Sequence, residues 1–484
     1  MSGLGNRTAI LTLARLASYG LQLISPIFLV RLLTVEDFGR YREFLLYASI
    51  LQAFAQFSIN DSLLYCVPAN PASPWRLARQ TALLTVCSSL LVVLVLVGLD
   101  RWSAGHLVNG YLAPLAAYTL FSANLDFWEY FWLANGKAKP VFFYSAGRLA
   151  VRVLVVVVTA AMTHDFRAVI WALVALEGAR LLAAGAGMLI FDRARREPAL
   201  REPWRDQLRF CVPSGIASLL AMLNRNVSNV IVARTLGAVA LAQYAIGRFG
   251  EPVVATVRNS VSAVILPEMV RKDRGAAPGG SALALWQKAT VVNTIMLFPI
   301  VVLVARYAQP LVTLVFGPNY ASAAAVMQLY MLVVIRECFD FAPALRAVNR
   351  TRPLVESNVA GLVACTVAML LLIPVAGLPG AMLAFVIASY IDVSWLAWRA
   401  LQAYEVSVGE LLPWRSIAKT AVAAGVAGLL IVSSVWTEVF GRFGIVLAGL
   451  AYVAAFAVLL QMMHIPEAMV LQAWGKRLVF RRAA

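Results

Sequence analysis

Charge is scarce in this chain and leans one way. Only 13% of the residues are Asp, Glu, Lys or Arg, and the bases outnumber the acids by 41 to 24. A soluble domain carries about a quarter of its residues as charges, so a water-soluble core cannot account for a chain that is 61% hydrophobic with a mean hydropathy of +0.78. The five cysteines (Cys66, Cys87, Cys211, Cys338, Cys365) stand singly in apolar runs, and no CxxC spacing joins them. They read as small packing residues rather than as a disulfide framework or a metal site. Three histidines, His106, His164 and His464, lie far apart, which removes a zinc site or a Cys–His nucleophile. No GxxxxGK[ST] loop is present, so the sequence offers nothing for ATP hydrolysis, and neither a cofactor nor a metal is expected. A net charge of +17 is compatible with nucleic acid, but the basic residues punctuate apolar stretches, as topology in a bilayer requires.

What is present is a succession of long apolar runs. A spanning helix needs about 20 apolar residues. On that measure fourteen spans are expected, near 8–31, 41–67, 78–99, 112–134, 142–164, 168–191, 208–233, 238–268, 287–308, 322–346, 354–374, 378–402, 414–436 and 441–463. An even number puts both termini on one side. The loops on that side hold most of the bases, including Arg76, Arg79, Lys137, Arg193, Arg195, Arg196, Arg271, Lys272, Arg346, Arg350 and Arg352. The opposite loops hold only Arg31, Arg40, Arg101, Arg167, Arg234, Arg306 and Arg442. The positive-inside bias therefore predicts cytoplasmic termini. Arg15 interrupts the first run, which argues against a cleavable signal peptide.

The longest polar stretch, Asp192 to Arg209, separates two halves. The expected organisation is an N-terminal lobe over 1–191, a cytoplasmic linker over 192–207, a C-terminal lobe over 208–402, and two further spans with a basic tail over 403–484. No loop is long enough to fold as a soluble domain, so function must reside in the helices. A faint repeat links the halves: at an offset of 203, Arg31 meets Arg234, Leu33 meets Leu236 and Tyr41 meets Tyr244. Repeats of this kind are how many transporters build a site near the bilayer midplane.

Six segments, taken in order, resemble a known family. They are RLLTVEDFGRY from Arg31, RFCVPSGIASLLAMLNR from Arg209, RTLGAVALAQYAI from Arg234, VILPEMVR from Val264, VFGPNY from Val315 and IPVAGLPGAMLAFVIASY from Ile373. Their order and spacing are similar to the polysaccharide-transporter branch of the multidrug/oligosaccharidyl-lipid/polysaccharide exporter superfamily, which includes the Wzx-type O-antigen flippases. The chain departs from that pattern in its wealth of Trp and Arg and in the Arg42–Glu43 pair opening the second span. The resemblance implies an all-α membrane protein: two six-helix lobes with pseudo-two-fold symmetry around a central cavity, plus two extra C-terminal helices. It implies alternating access in a bacterial cytoplasmic membrane. The cargo would be a polyprenyl-pyrophosphate-linked oligosaccharide for O-antigen or exopolysaccharide, moved from inner to outer leaflet. Implied partners are that lipid-linked glycan, membrane lipids, and glycan polymerase and assembly enzymes.

Ionisable groups inside the spans are the functional pointers, because each costs at least about 2.5–3.5 kcal/mol at the bilayer centre. The first span carries Thr12, Arg15, Ser18, Gln22 and Ser25 as one polar stripe. The seventh repeats it with Ser214, Ser218, Arg225 and Ser228, and the offset superposes Gln22 on Arg225. The eighth adds Tyr244, Arg248, Glu251 and Arg258. Guanidinium groups suit phosphate oxygens, which accept two parallel bonds from one arginine. The expected substrate-binding set is therefore Arg15, Gln22, Arg225, Arg248 and Arg258, with Arg248–Glu251 also readable as a structural ion pair. Asp61 and Glu251 are the candidates for ion coupling. Arg336 with Asp340, Arg148 and Arg152 with Asp126 and Glu129, and Glu177 with Arg180 read as scaffold pairs. The aromatic run Phe127–Trp132 reads as an interfacial belt. Two other transport readings stay open, a peptidoglycan-precursor flippase and a drug/cation antiporter. An enzyme such as a membrane polymerase lacks the catalytic loop or acidic motif it would need.

Overall fold

In lipid, every backbone N–H and C=O must be satisfied within the protein, and helices are the simplest solution. The computed structural model describes residues 24–103, 108, 110–191, 197–198, 203–273, 282–429, 431 and 444–465, and among them there are helices and turns but no strand. Among the described residues, eight helices are long and apolar enough to cross a membrane. The chain is an all-α, multi-pass membrane protein. It divides into two compact units, Met1–Ala242 and Gln243–Ala484.

The first unit contains α1 (Val35–Gln56), α2 (Leu63–Ala69), α3 (Pro74–Trp102), α4 (Leu112–Ala123), α5 (Phe127–Ala134), α6 (Ala138–Thr163) and α7 (Phe166–Phe191). It ends within α8 (Pro203–Gly247). Thr34 caps α1, its side chain accepting from the Asp37 N–H, with Glu36 and Asp37 in the favoured acidic first turn. Gly39 lets α1 touch another backbone: a Cβ there would lie 2.1 Å from the Ala238 carbonyl oxygen.

The second and fourth expected spans are each broken. Helix α1 stops at Phe57, whose φ of 37° is left-handed, and Ser58 follows at 55°. An aromatic residue in that region is strained. The Phe57 ring is seated over Gly215 of α8, where a Cβ would meet it at 2.6 Å. The other break, Asn124 to Asp126, separates α4 from α5. Phe127, Trp128 and Phe131 of α5 are buried against Leu63, Cys66 and Leu77, with Trp75 packed beside them. The aromatic run read from the sequence as an interfacial belt therefore belongs to the core of this unit, because α5 packs on α2 rather than on lipid.

The second unit holds α9 (Glu251–Asp273), α10 (Ala282–Phe316), α11 (Ala323–Glu337), α12 (Ala342–Ala347), α13 (Arg352–Tyr404), α14 (Val408–Leu411), α15 (Trp414–Leu429) and α16 (Gly444–Met462). Here too the second and fourth spans of the half are interrupted, at Arg248–Gly250 and at Cys338–Phe341. Three of these interrupted spans fail the test for a spanning helix, α13 carries two expected spans as one helix, and α15 has only 16 residues, so fewer helices qualify than the sequence has apolar runs.

Helix α13 is a hairpin. Gly377, at φ 56° and ψ −131°, turns the chain, and Gly380 then packs so closely that a Cβ would lie 2.3 Å from the Leu372 carbonyl oxygen. The two arms meet again at their open end, where Arg399 donates to Glu356 at 2.6 Å. The thirteenth and fourteenth expected spans, α15 and α16, pack on α10 through Ala423, Ala427, Ala448, Tyr452 and Phe456. Small residues make that close approach possible: a Cβ on Gly428 would come within 2.9 Å of Val302.

Candidate functional site

Each unit keeps polar groups in its interior, gathered around its broken helices. In the first, the break after α1 is lined by neutral groups. The Gln80 amide donates to Gln207 at 2.7 Å, and Gln207 donates to Ser62 at 2.8 Å and to Thr81 at 2.7 Å. Ser58 and Ser218 share a hydrogen bond of 3.0 Å. The carboxamide of Asn60, only 2% exposed, makes no hydrogen bond among the described residues. Asp61 lies beside the Tyr130 hydroxyl. The break between α4 and α5 is joined to the first one: Gln56 donates to Asp126 at 2.8 Å, and Arg148 donates to the same carboxylate at 2.5 Å. Glu177 pairs with Arg180, as the sequence suggested.

The first unit also holds a polar cavity of about 740 Å³, whose walls include Glu36, Arg40, Glu43, Tyr111, Phe166 and Arg167. Arg40 pairs with Glu36 at 2.5 Å and lies over the Phe166 ring, as does Arg167. The buried Glu43 accepts from Tyr47 at 3.0 Å, and Arg234 lies 5.5 Å from the Tyr47 ring. The sequence placed Arg40, Arg167 and Arg234 merely as loop charges. The signal that went unused was the i,i+4 spacing of Glu43 and Tyr47 on the face of α1 that also carries Arg40.

In the second unit the interior is ionic. Arg248, 6% exposed at the break before α9, pairs with Glu251 at 2.8 Å and stacks 4.1 Å from the Phe385 ring centre. Pro252 follows at the start of α9, where its missing N–H costs no helical bond. Arg258 pairs with Glu337, and Glu337 also receives Arg336 at 2.8 Å. Arg336 reaches across to Asp392 on α13. Asp340 accepts from Ser262 at 2.9 Å and from the Ala342 N–H at 3.1 Å. The expected Arg336–Asp340 pair thus does not form. The helix ends at Glu337, so Asp340 no longer lies one turn along from Arg336.

Of the residues singled out as substrate-binding, Arg248 and Arg258 are brought into this ionic interior. Arg225, in the middle of α8, is exposed and makes no ion pair among the described residues. Arg15 and Gln22 lie outside the described residues. Of the two coupling candidates, Asp61 sits in the broken second span beside Tyr130, and Glu251 is the partner of Arg248. No cluster of three or more His, Cys, Asp or Glu able to hold a metal occurs among the described residues.

Comparison with solved structures recovers the same architecture. The chain is similar to a lipid II flippase, MurJ, in an inward closed conformation, with a TM-score of 0.69 at 11% identity over 94% of this chain and 98% of that one. It is also similar to a Vibrio cholerae MATE transporter, with a TM-score of 0.51 at 14% identity over 83% and 95% of the two chains. An inward-facing multidrug resistance MATE family transporter of the MOP superfamily gives 0.52 at 13% identity over 82% and 99%. At such identities the likeness is one of fold. No curated protein matches the chain. A family model described as "Polysaccharide biosynthesis protein" matches residues 28–325, more than half of the chain, and the chain belongs to that family.

Proposed function

We propose that the protein is a flippase that carries a polyprenyl-pyrophosphate-linked oligosaccharide across the bacterial cytoplasmic membrane by alternating access, with both termini in the cytoplasm. The observation that carries this reading is Arg225, an exposed guanidinium halfway along an apolar helix with no ion-pair partner among the described residues. An arginine left so in a span costs at least about 2.5–3.5 kcal/mol, which an arriving phosphate would offset. Membership of a polysaccharide-biosynthesis family supports a glycan as the remainder of the cargo. Arg15 and Gln22 belong to the same proposed path. Arg248 and Arg258 supply further positive charge, exchanging their carboxylate partners for phosphate oxygens as the cargo passes. Asp61 and Glu251 are the groups available to a coupling ion.

The energetics do not demand such an ion. Moving one charge across 100 mV is worth about 2.3 kcal/mol, so two phosphate charges moving outward from a negative interior gain roughly 4.6 kcal/mol. That alone biases export by about three orders of magnitude. No bond is made or broken in this reading. A cation antiporter fits less well, since the uncompensated group in the span is basic.

The test is mass spectrometry of lipid-linked intermediates in cells with and without the gene. Accumulation of a polyprenyl-pyrophosphate oligosaccharide on deletion is the expected result, and its mass names the glycan. Accumulation of peptidoglycan precursor instead would reassign the cargo, and no change in any lipid-linked sugar would overturn the reading. Complementation with Arg225→Ala should restore membrane insertion but not export; full export by that variant would remove the site.

A further inference from the structure

The α13 hairpin carries a feature that translocation does not use. At its open end, Arg350 and Arg352 from the preceding loop and helix start converge with Glu356 and Arg399 on a cavity of about 510 Å³. Arg352 pairs with Glu356 at 3.0 Å, and the same carboxylate receives Arg399 at 2.6 Å. Three guanidinium groups against one carboxylate leave the cavity net cationic. Arg352 is 91% exposed and Arg350 is exposed, so both are available to a ligand without unmaking the core.

A second, apolar groove of about 580 Å³ runs along the descending arm of the same hairpin, lined by Val386, Ile387, Tyr390, Ile391, Trp395 and Trp398. These positions recur at i, i+4 and i+8, one stripe of a helix. The two sites share a wall. The Arg399 guanidinium lies 4.9 Å from the Trp398 ring centre and 5.3 Å from that of Trp395, and the Trp395 indole N–H donates to Glu356 at 3.3 Å. The cationic cavity is therefore at the mouth, the tryptophans at the collar, and the hydrocarbon-like groove below. Tryptophan belongs at the level of lipid headgroups, and basic pockets between spans bind anionic heads.

We propose that the open end of the α13 hairpin is a binding site for an anionic phospholipid of the surrounding bilayer, its phosphate held by Arg350, Arg352 and Arg399 and an acyl chain laid along the Tyr390–Trp398 groove. Charge complementarity and the alignment of a cationic mouth with an apolar channel on one helix select an amphiphile over a free anion. The site uses none of the residues assigned to the cargo path, so it stands or falls independently of the transport reading.

The experiment is native mass spectrometry of the full-length purified protein titrated with phosphatidylglycerol, with phosphatidylethanolamine as the zwitterionic control. Phosphatidylglycerol adducts should persist where phosphatidylethanolamine adducts do not. The exposed pair Arg350→Gln/Arg352→Gln should weaken retention about 25-fold, each arginine contributing about five-fold at a membrane surface. Because both side chains are solvent-facing, the variant should stay monodisperse with an unchanged melting temperature. Trp398→Ala should weaken phosphatidylglycerol while leaving the response to inorganic phosphate unaltered. Equal retention of the two lipids, or unchanged retention in the double variant, would overturn the proposal. So would inorganic phosphate competing at the same concentration as the lipid, which would make this a free-anion site. Displacement of phosphatidylglycerol by undecaprenyl phosphate at much lower concentration would also overturn it, making the groove a cargo entrance.

Discussion

Two broken helices, the one after α1 in the first unit and the one around Glu337 in the second, solve one problem, how to keep polar groups inside a membrane protein, with different chemistry. The first uses amides and hydroxyls: Gln80, Gln207, Ser62, Thr81, Ser58 and Ser218 form hydrogen bonds of 2.7–3.0 Å around a broken helix. The second uses charge, with Glu337 shared by Arg258 and Arg336, and Asp392 closing the chain. A neutral network loses about 1–3 kcal/mol when one member leaves its partners unsatisfied. A buried ionic one loses about 3–5 kcal/mol, because an uncompensated charge remains. The neutral lining can therefore rearrange at modest cost, while the ionic lining holds one arrangement firmly until a competing charge arrives.

The sharpest way to break this contrast is Glu337→Ala, which removes a carboxylate shared by two arginines. It should cost about 3–5 kcal/mol in unfolding followed by tryptophan fluorescence in detergent. Gln207→Leu, the matching change in the first unit, should cost about 1–3 kcal/mol. Equal losses from the two would erase the distinction. Packing offers a third comparison. Gly39→Ala forces a Cβ to 2.1 Å from the Ala238 carbonyl and should cost about 1–3 kcal/mol, whereas Gly361→Ala meets its nearest neighbour, Asp392, at an ordinary 3.6 Å and should be near neutral. A large loss from Gly361→Ala would show that the hairpin arms have no slack.

The smallest effect belongs outside the membrane. Glu410 closes a capping box on α14, and hydrogen bonds from the Ser407 N–H and hydroxyl hold its carboxyl below the usual carboxylate range. Its folded-state value is depressed, so its contribution is complete above the ordinary carboxylate value near ~4.3 and fades as pH falls through the lowered one. Melting temperature should therefore drop slightly more in wild type than in Glu410→Gln as the solution is acidified; parallel curves would show that the box carries no weight.

Much of the fold was legible because hydropathy reports directly on the bilayer. Helices α3, α6, α7, α10 and α16 lie close to the spans read from apolar runs, and the Gly377 turn fell in the gap between two of them. The breaks were harder. Those after Gln56 and Ala123 contain neither glycine nor proline; their polar residues are Ser58, Asn60, Asp61, Ser62, Asn124 and Asp126, whose side chains compete for backbone partners. That competition is a weak local signal which tertiary packing, here Phe57 on Gly215 and α5 on α2, turns into a break. The ionic partners of the second unit were hidden for a related reason. Arg336 and Asp340 are one helical turn apart in sequence, but the helix ends between them, so Arg336 finds Asp392 some fifty residues away instead. The choice of Arg248 as a substrate-binding group was blind to Phe385, which no local pattern brings beside it.

The left-handed Phe57 has a mechanical consequence. A bulky residue held in that region stores about 1–3 kcal/mol, and it is held there by a ring wedged over Gly215, with no room for even a methyl group between. The bend in the second span is thus a loaded spring whose catch lies on another helix. Sliding α8 past Phe57 would release the ring, and the backbone would then gain by straightening, so displacement of one helix and extension of the other are a single coupled stroke.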